Sequence, residues 1–175
     1  PANVLMIHGL PSGPITYLAD VPQSQRYTPE DLCNRYWEKF NELGIAMDAR
    51  QCPFHLGDAI LMEEMASHVT AGGLVIGEMC YQAVIIPETV ELPPVQVKLL
   101  NDFVNAGFPV FAVKDSLIGK TYSNGEPSDW DGLIRKIRFF DTAEEAAEAV
   151  AKAAPRFSIR TPDGDWCRSI VHGSR

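Results

Sequence analysis

Residues 81–87, which read YQAVIIP, form the stretch of sequence that decides the predicted fold. Val84, Ile85 and Ile86 are consecutive apolar residues, and all three are β-branched, the type that favours strands. A strand with one face in water alternates apolar and polar residues, whereas a strand covered on both faces is apolar throughout. We therefore predict that this segment lies at the centre of a parallel sheet covered by helices on both faces.

Further strands and helices are predicted on both sides of this segment. On its N-terminal side they are a buried strand at 3–10, a helix that Thr28-Pro29 opens and Gly44 ends, a strand at 45–50, a helix at 58–66 and a strand at 74–77. On its C-terminal side they are a helix at 93–106, a strand at 109–113, a short helix at 129–136, a strand at 138–140 and a helix at 143–153 that the capping box Thr142-x-x-Glu145 opens. This alternation predicts one soluble α/β domain over residues 1–154, with a doubly wound, mainly parallel, flavodoxin-like sheet.

Residues 155–175 break the alternation and are predicted to form a C-terminal β-hairpin extension. Residues 156–160 alternate with a period of two, and Asp163-Gly164 is a typical hairpin turn. The charge changes at the same place, because the last 25 residues hold five basic and two acidic side chains, a charge of +3, while the first 150 residues carry −11. An isolated hairpin is marginal in water, so it either packs on the α/β domain or begins a following β-domain, and we favour the second interpretation.

The composition disfavours several classes of partner. A net charge of −8 argues against nucleic acid, because phosphate contacts need clustered Lys and Arg. No apolar run approaches the roughly 20 residues that span a bilayer, so no membrane partner is expected, and the location stays open between the cytoplasm and secretion within a larger chain. The four cysteines fit no disulfide framework and no paired metal motif, so we interpret them as buried free thiols.

Candidate ligand-binding residues follow from the expected sheet, because ligands in open α/β sheets bind beyond the carboxyl ends of the strands. At these ends the sequence places His8, Arg50, Glu88 and the pair Lys114-Asp115. Among them we predict His8, Glu88 and Asp115 as the ligand-binding residues. The alternative for each is that it only satisfies loop backbone groups and solvates the edge of the sheet.

No catalytic residue, cofactor or metal site is predicted. Cys80 precedes its strand, whereas the nucleophile of a strand–turn–helix elbow follows one, and the sequence has no GxSxG motif. Cys52, His55 and Asp58 have the close spacing of metal ligands but lack the second pair that a zinc site needs. The segment 8–13 contains Gly and Pro but matches no phosphate-binding loop, so we interpret it as a turn.

Several short motifs occur together over about residues 30–115. Gly77 and Tyr81 precede the Val-Ile-Ile-Pro run that ends at Pro87, and the helix after it ends in Gly107-Phe108-Pro109-Val110. As a set, these motifs resemble the glutamine-amidotransferase-like domain inside large glycoside hydrolases of the α-L-rhamnosidase and β-galactosidase kind. Phe108 is a departure, since a second glycine is usual at that position in this family.

The resemblance implies a flavodoxin-like domain of the class I glutamine amidotransferase kind that has lost the amidotransferase nucleophile and triad. The hydrolytic carboxylates of such enzymes belong to a neighbouring barrel. The chain would then be a non-catalytic module of a carbohydrate-active enzyme, serving inter-domain packing, oligomerisation or shaping of the substrate cleft. Its expected partners are neighbouring domains or subunits of the same protein, a homo-oligomer among them, and carbohydrate.

Two other functions stay open on the sequence alone. One is a free-standing small-molecule enzyme or ligand binder that uses His8, Glu88 and Asp115 at the strand ends. The other is an amidotransferase relic that still binds a small amide or a sugar. Convergence of the three side chains on one pocket favours the enzyme or binder, whereas a neighbouring surface over the strand ends favours the module.

Overall fold

Residues 2–8, 29–88, 92–114, 122–123, 126–127 and 131–154 are described by the structure, a computed structural model. Their elements, in chain order, are β1 (Val4–Ile7), α1 (Pro29–Ala49), β2 (Phe54–Gly57), α2 (Ala59–Glu64), β3 (His68–Thr70), β4 (Gly73–Ile76), β5 (Met79–Tyr81), β6 (Ala83–Ile86), α3 (Pro94–Asn105), β7 (Val110–Val113), β8 (Tyr122–Ser123), β9 (Glu126–Pro127), α4 (Asp131–Ile134), β10 (Arg138–Phe140) and α5 (Ala143–Ala153). The predicted turn at 8–13 beyond His8 and the predicted hairpin at 155–175 lie outside the described residues.

The main sheet has five strands in the order β10-β7-β6-β1-β2, and every neighbouring pair is parallel. β6 lies in the middle, and all four of its residues are buried, as are all four residues of β1. The prediction of an α/β fold whose mainly parallel sheet is centred on the segment 81–87 is therefore confirmed.

Helices cover both faces of this sheet, because successive side chains of a strand point to opposite faces. On one face, Leu5, Ile7, Val84 and Ile86 pack with buried residues of α2, α3 and α4, among them Met62, Leu100, Phe103 and Leu133. On the other face, Val4, Met6, Ala83 and Ile85 pack with α1 and α5, through Leu43, Met47, Ala147 and Val150 among others. The apolar runs of the central strands thus fill two cores at once.

A second, three-stranded antiparallel sheet has the order β3-β4-β5. The strand predicted at 74–77 belongs here and not to the main sheet. Gly73 opens β4 at a φ of 136°, and a Cβ atom there would lie 2.1 Å from the carbonyl oxygen of Tyr81. Only glycine fits a position that combines this backbone with so close a neighbour.

The predicted strand at 45–50 is wrong, because α1 runs through Gly44 and continues to Ala49. Ala46 and Met47 keep the helical spacing of Leu43 and are buried, and this burial outweighs the roughly 1 kcal/mol that glycine costs inside a helix. After the helix ends at Ala49, Gln51 turns the chain with a left-handed φ of 52°, while the Cys52 amide donates to the Met47 carbonyl at 3.1 Å. The sheet position expected for 45–50 is occupied by β2.

The other predicted helices are confirmed, with shorter bounds at 58–66 and 129–136. Gly107, at a φ of 92°, follows α3, and the Phe108 amide closes the helix end on the Phe103 carbonyl at 3.2 Å. The predicted capping box of α5 forms in a variant in which the Glu145 side chain reaches one residue before the N-cap Thr142. The Glu145 amide donates to the Thr142 hydroxyl, and the Glu145 carboxylate accepts from the Asp141 amide, each at 3.2 Å.

Candidate functional site

The carboxyl ends of the main strands gather polar side chains at one edge of the sheet, because all five strands point the same way. The residues that follow the strands are His8 after β1, Asp58 after β2, Glu88 after β6, Lys114 after β7 and Asp141 after β10. Arg50 was expected at this edge, and that expectation is wrong. It follows the end of α1 and precedes β2, so it lies before a strand and not after one. Asp115 lies outside the described residues.

Glu88 is the buried acid of this edge. Its side chain is 5% exposed, and its Oε1 lies 2.6 Å from a terminal nitrogen of Arg35 on α1, whose side chain is 51% exposed. A carboxylate loses the solvation of water when it is buried, so it is rarely found there without a charged or hydrogen-bonding partner. The ion pair therefore connects the end of the central strand to the helix above it.

A cleft of about 260 Å³ opens beside this ion pair. Its walls come from α1, from the ends of β6, β7 and β10, and from the start of α5. The lining residues are Arg35, Lys39, Glu42, Glu88, Val113, Lys114, Asp141, Thr142, Ala143 and Glu144. Eight of these ten residues are polar or charged, and Val113 and Ala143 are the apolar ones.

Each cation that lines the cleft is paired with an acid that also lines it. Besides Arg35 with Glu88, Lys39 lies 2.7 Å from Glu42, and Lys114 lies 2.8 Å from Asp141. The hydrogen bond from Lys39 to Glu42 raises the pKa of the Lys39 ammonium, so this ammonium stays charged across the neutral range. Glu144 adds a fourth acid, so the lining residues that the structure describes carry three positive and four negative charges.

The first turn of α5 adds backbone donors to the cleft. Within a helix, the first N–H groups have no carbonyl partner one turn earlier. The first helical bond of α5 runs from the Ala146 amide to the Thr142 carbonyl at 3.1 Å. The amides of Ala143 and Glu144 precede that bond, and both residues line the cleft.

His8 lies at the neighbouring strand end but does not line the cleft. Its Nδ1 is 4.0 Å from Oδ2 of Asp58, and its ring meets the Phe40 ring edge-on at 5.4 Å between centroids. The other carboxylate oxygen of Asp58 accepts from the Ile60 and Leu61 amides and caps α2. Of the three predicted ligand-binding residues, the structure thus places Glu88 in the cleft and His8 beside it, on α2's side.

The cysteines agree with the sequence interpretation only in part. Cys52 is buried, as expected, but Cys80 is exposed on β5, away from the carboxyl edge of the main sheet. Within the described ranges, no three His, Cys, Asp or Glu side chains come close enough to hold a metal ion. His55 instead meets the hydroxyl of Tyr81, at 3.0 Å from its Nδ1, and burial raises the pKa of that hydroxyl.

Sequence reasoning missed Arg35, Lys39 and Asp141 as parts of the site. Arg35 and Glu88 are 53 positions apart in the chain, and nothing local in either segment indicates the pairing. The capping box did locate the start of α5 correctly. Combined with the rule that sites lie beyond the strand ends, it could have indicated that Thr142 and Glu144 border the site.

Comparison with known proteins gives no match: no protein-family model fits the chain, and neither a curated protein nor a solved structure is similar to it. Within the described part of the chain, none of the helices combines the length and the apolar character that crossing a membrane requires. The chemistry of the carboxyl edge is therefore the observation that bears on function.

Proposed function

We propose that this chain is a non-catalytic, glutamine-amidotransferase-like module of a carbohydrate-active enzyme of the glycoside hydrolase kind. In this role the domain packs against neighbouring domains or subunits of the same protein, or shapes their substrate cleft, and takes no part in bond cleavage. The motifs over about residues 30–115 are the sequence support for this proposal.

The strand order supports the flavodoxin-like part of the proposal. Numbered along the chain, the five strands of the main sheet lie in the order 2-1-3-4-5, which is the order of flavodoxin-like proteins. The two cores, one under α1 and α5 and the other under α2, α3 and α4, supply the layers that a doubly wound domain has.

The non-catalytic part of the proposal rests on the described strand ends, which hold no cysteine or serine nucleophile. After the five main strands the chain continues with His8, Asp58, Pro87-Glu88, Lys114 and Asp141. No cysteine or serine is among these described positions. Glu88 already lies in an ion pair with Arg35, at 2.6 Å between the charged groups, so its carboxylate is engaged with a cation of the protein itself.

An exposed apolar surface supports the packing part. Leu56 on β2, Ile60 and Leu61 on α2, and Met65 just after α2 are between 47% and 66% exposed. We call these four residues the β2–α2 surface. A group of exposed large apolar side chains marks a protein contact site more often than a single exposed apolar side chain does. A neighbouring domain or subunit that covers them would bury this surface.

Hydrolysis of aryl glycosides tests the non-catalytic role. We expect the chain alone to release no more nitrophenol from nitrophenyl α-L-rhamnoside or β-galactoside than buffer does. Turnover that disappears in Glu88→Gln but persists in Glu148→Gln would overturn the proposal. Glu148 is a suitable control because it is an acid of α5 that lies outside the cleft lining.

Sedimentation over a range of protein concentrations tests the packing role. We expect the chain to self-associate weakly, and expect Ile60→Glu with Leu61→Glu to reduce that association by placing charges on the β2–α2 surface. Ile45→Glu is the matched control, since Ile45 is an exposed apolar residue of α1. Equal sedimentation of all three proteins would argue against a contact role for this surface.

A further inference from the structure

All three cations in the described lining of the cleft beside Arg35 and Glu88 are paired with acids. Three ion pairs, at 2.6, 2.7 and 2.8 Å, hold the three cations against three of the acids. The seven charged groups among the described lining residues thus sum to a net charge of −1 around a cleft of about 260 Å³. Such a lining offers donors and acceptors at close range but no strong field of either sign.

A charged ligand is poorly matched to this arrangement. An anion would meet four carboxylates, and it could reach a cation fully only by displacing Glu42, Glu88 or Asp141 from its partner. A cation would face the same problem with Arg35, Lys39 and Lys114. Either ligand would leave a lining charge without its counter-charge, and an uncompensated charge in a partly desolvated site is costly.

A neutral ligand with several hydroxyl groups is well matched. A hydroxyl both donates and accepts, so it can give a hydrogen bond to a carboxylate and take one from an ammonium or guanidinium while the ion pairs stay intact. Arg35 is half-exposed, and a guanidinium has five N–H donors, so it can donate to a ligand while it stays in the ion pair with Glu88. Ala143 and Glu144 line the cleft in the first turn of α5, where backbone amides have no carbonyl partner one helical turn earlier.

The size of the cleft limits the ligand. Pockets for drug-sized molecules range from roughly 300 to 1,000 Å³, so a cleft of about 260 Å³ takes something smaller. We propose that the Arg35–Glu88 cleft binds a small neutral polyhydroxylated molecule of about the size of a monosaccharide. This proposal goes beyond the packing role given above and does not depend on it, because it uses only the geometry of the cleft.

Chemical-shift titration of the full chain tests the proposal. We would follow the backbone amides of the 15N-labelled protein while adding D-glucose, D-galactose or L-rhamnose, with inorganic phosphate and glycine as charged probes. We expect at least one sugar to shift the amides of Ala143 and Glu144 saturably, with a dissociation constant of about millimolar, as the small number of ligand atoms allows.

Variants identify the cleft as the site of binding. We expect Glu88→Gln and Lys114→Met each to weaken binding about tenfold, which is the loss of one hydrogen bond to a charged group. Lys152→Met is the matched control, because Lys152 forms the same kind of exposed ion pair, with Glu148 on α5, outside the cleft lining. Lys114 is 66% exposed, so its variant remains a fair test if Glu88→Gln fails to fold.

Three outcomes would overturn the proposal. The first is that no sugar shifts these amides saturably. The second is that phosphate or glycine binds as tightly as the best sugar, which would show a site for charged ligands. The third is that Lys152→Met weakens binding as much as the cleft variants do. None of these outcomes bears on the absence of turnover or on the β2–α2 surface, so the two proposals fail separately.

Discussion

Glu88 is the residue whose burial most constrains the edge of the sheet. Its carboxylate is nearly inaccessible to water, so the folded state depends on a cation beside it. Arg35 supplies that charge from α1 and is itself half-exposed. Removing Arg35 and removing both partners should therefore have different effects on stability.

Arg35→Met should destabilise the protein by about 1–3 kcal/mol, because it leaves a buried carboxylate without its guanidinium. Arg35→Met combined with Glu88→Met should recover most of this loss, since two apolar side chains of similar length replace the pair. Urea denaturation of the two variants and the wild type measures the difference. A double variant no more stable than the single one would contradict this account.

Gln96 is the second buried polar residue of the described core. Its Nε2 donates to the Gly57 carbonyl at 3.0 Å, while its Oε1 is buried without a hydrogen-bond partner in the part of the chain that the structure describes. The Gly57 carbonyl also accepts from the His8 amide at 3.0 Å, so it keeps a partner when Gln96 is replaced. Burying the side-chain amide of Gln96 therefore costs more free energy than burying a hydrocarbon side chain of similar size would.

Gln96→Leu should leave the free energy of unfolding unchanged or raise it by about 1 kcal/mol, because it removes an unsatisfied buried oxygen. Gln96→Ala should lower it by about 2 kcal/mol through the cavity that it leaves. Thermal and urea denaturation of both variants test this pair of expectations. Equal losses in Leu and Ala variants would show that the amide itself stabilises the fold.

Tyr81 links stability to alkaline pH. Burial raises the pKa of its hydroxyl in the folded state above the ordinary value of 10.0. The unfolded chain therefore releases this proton first, and the stability that the neutral hydroxyl provides is complete below pH 10 and is lost as the pH rises through the folded-state pKa.

Tyr81→Phe should remove this part of the alkaline loss. The difference in stability between wild type and variant should stay constant from pH 7 to about pH 9 and then shift in favour of the variant above pH 10. Urea denaturation across this range measures it. A difference that stays constant up to pH 11 would mean that Tyr81 ionises equally in both states.

At the scale of the elements, the start of α5 connects stability to the cleft. The Thr142 hydroxyl caps the helix, and the Glu145 carboxylate holds the Asp141 amide in the same turn. Thr142→Ala should lower the free energy of unfolding by about 1 kcal/mol, whereas Thr142→Ser should keep most of the stability. Denaturation curves of the two variants provide the comparison, and an equal loss in both would rule out the cap as the cause.

The helices that were predicted well from the sequence have residues at their ends that favour the start or the end of a helix. Gly107 ends α3, and the Thr142 capping box opens α5 at the expected residues. The error at 45–50 arose because Gly44 was taken as a stop, whereas the buried side of α1 continues past it to Met47. The chain turns instead at Gln51 in the left-handed region, a conformation that sequence rarely indicates for glutamine.

β2 was missed for a related reason. It is four residues long, which is too short to show either the continuous apolar run of a central strand or a clear alternation. Leu56 within it is 49% exposed, so burial does not mark this segment as a strand of the main sheet either. β3 and β5 are shorter still. Their pairing with β4 depends on contacts between strands and on Gly73, and the amino-acid types within each strand do not indicate it.

At the scale of the whole molecule, the location of the site was more predictable than its composition. The parallel sheet indicated one edge, and Glu88 lies in the cleft at that edge. Arg35 and Lys39 reach the same cleft from a helix far earlier in the chain. Their approach depends on how α1 packs across the sheet, which hydrophobic periodicity alone does not specify.

The strand order also sets how the sheet should come apart. β6 has a strand on each side and lies between two cores, whereas β2 and β10 border the sheet and each have one strand neighbour among the described residues. Amide protons exchange with deuterium only when their hydrogen bonds open, and opening is easiest where the fewest contacts must be broken. Deuterium should therefore enter β2 and β10 first and β6 last, so the molecule would fray from the two borders of its sheet while the middle strand opens only on global unfolding.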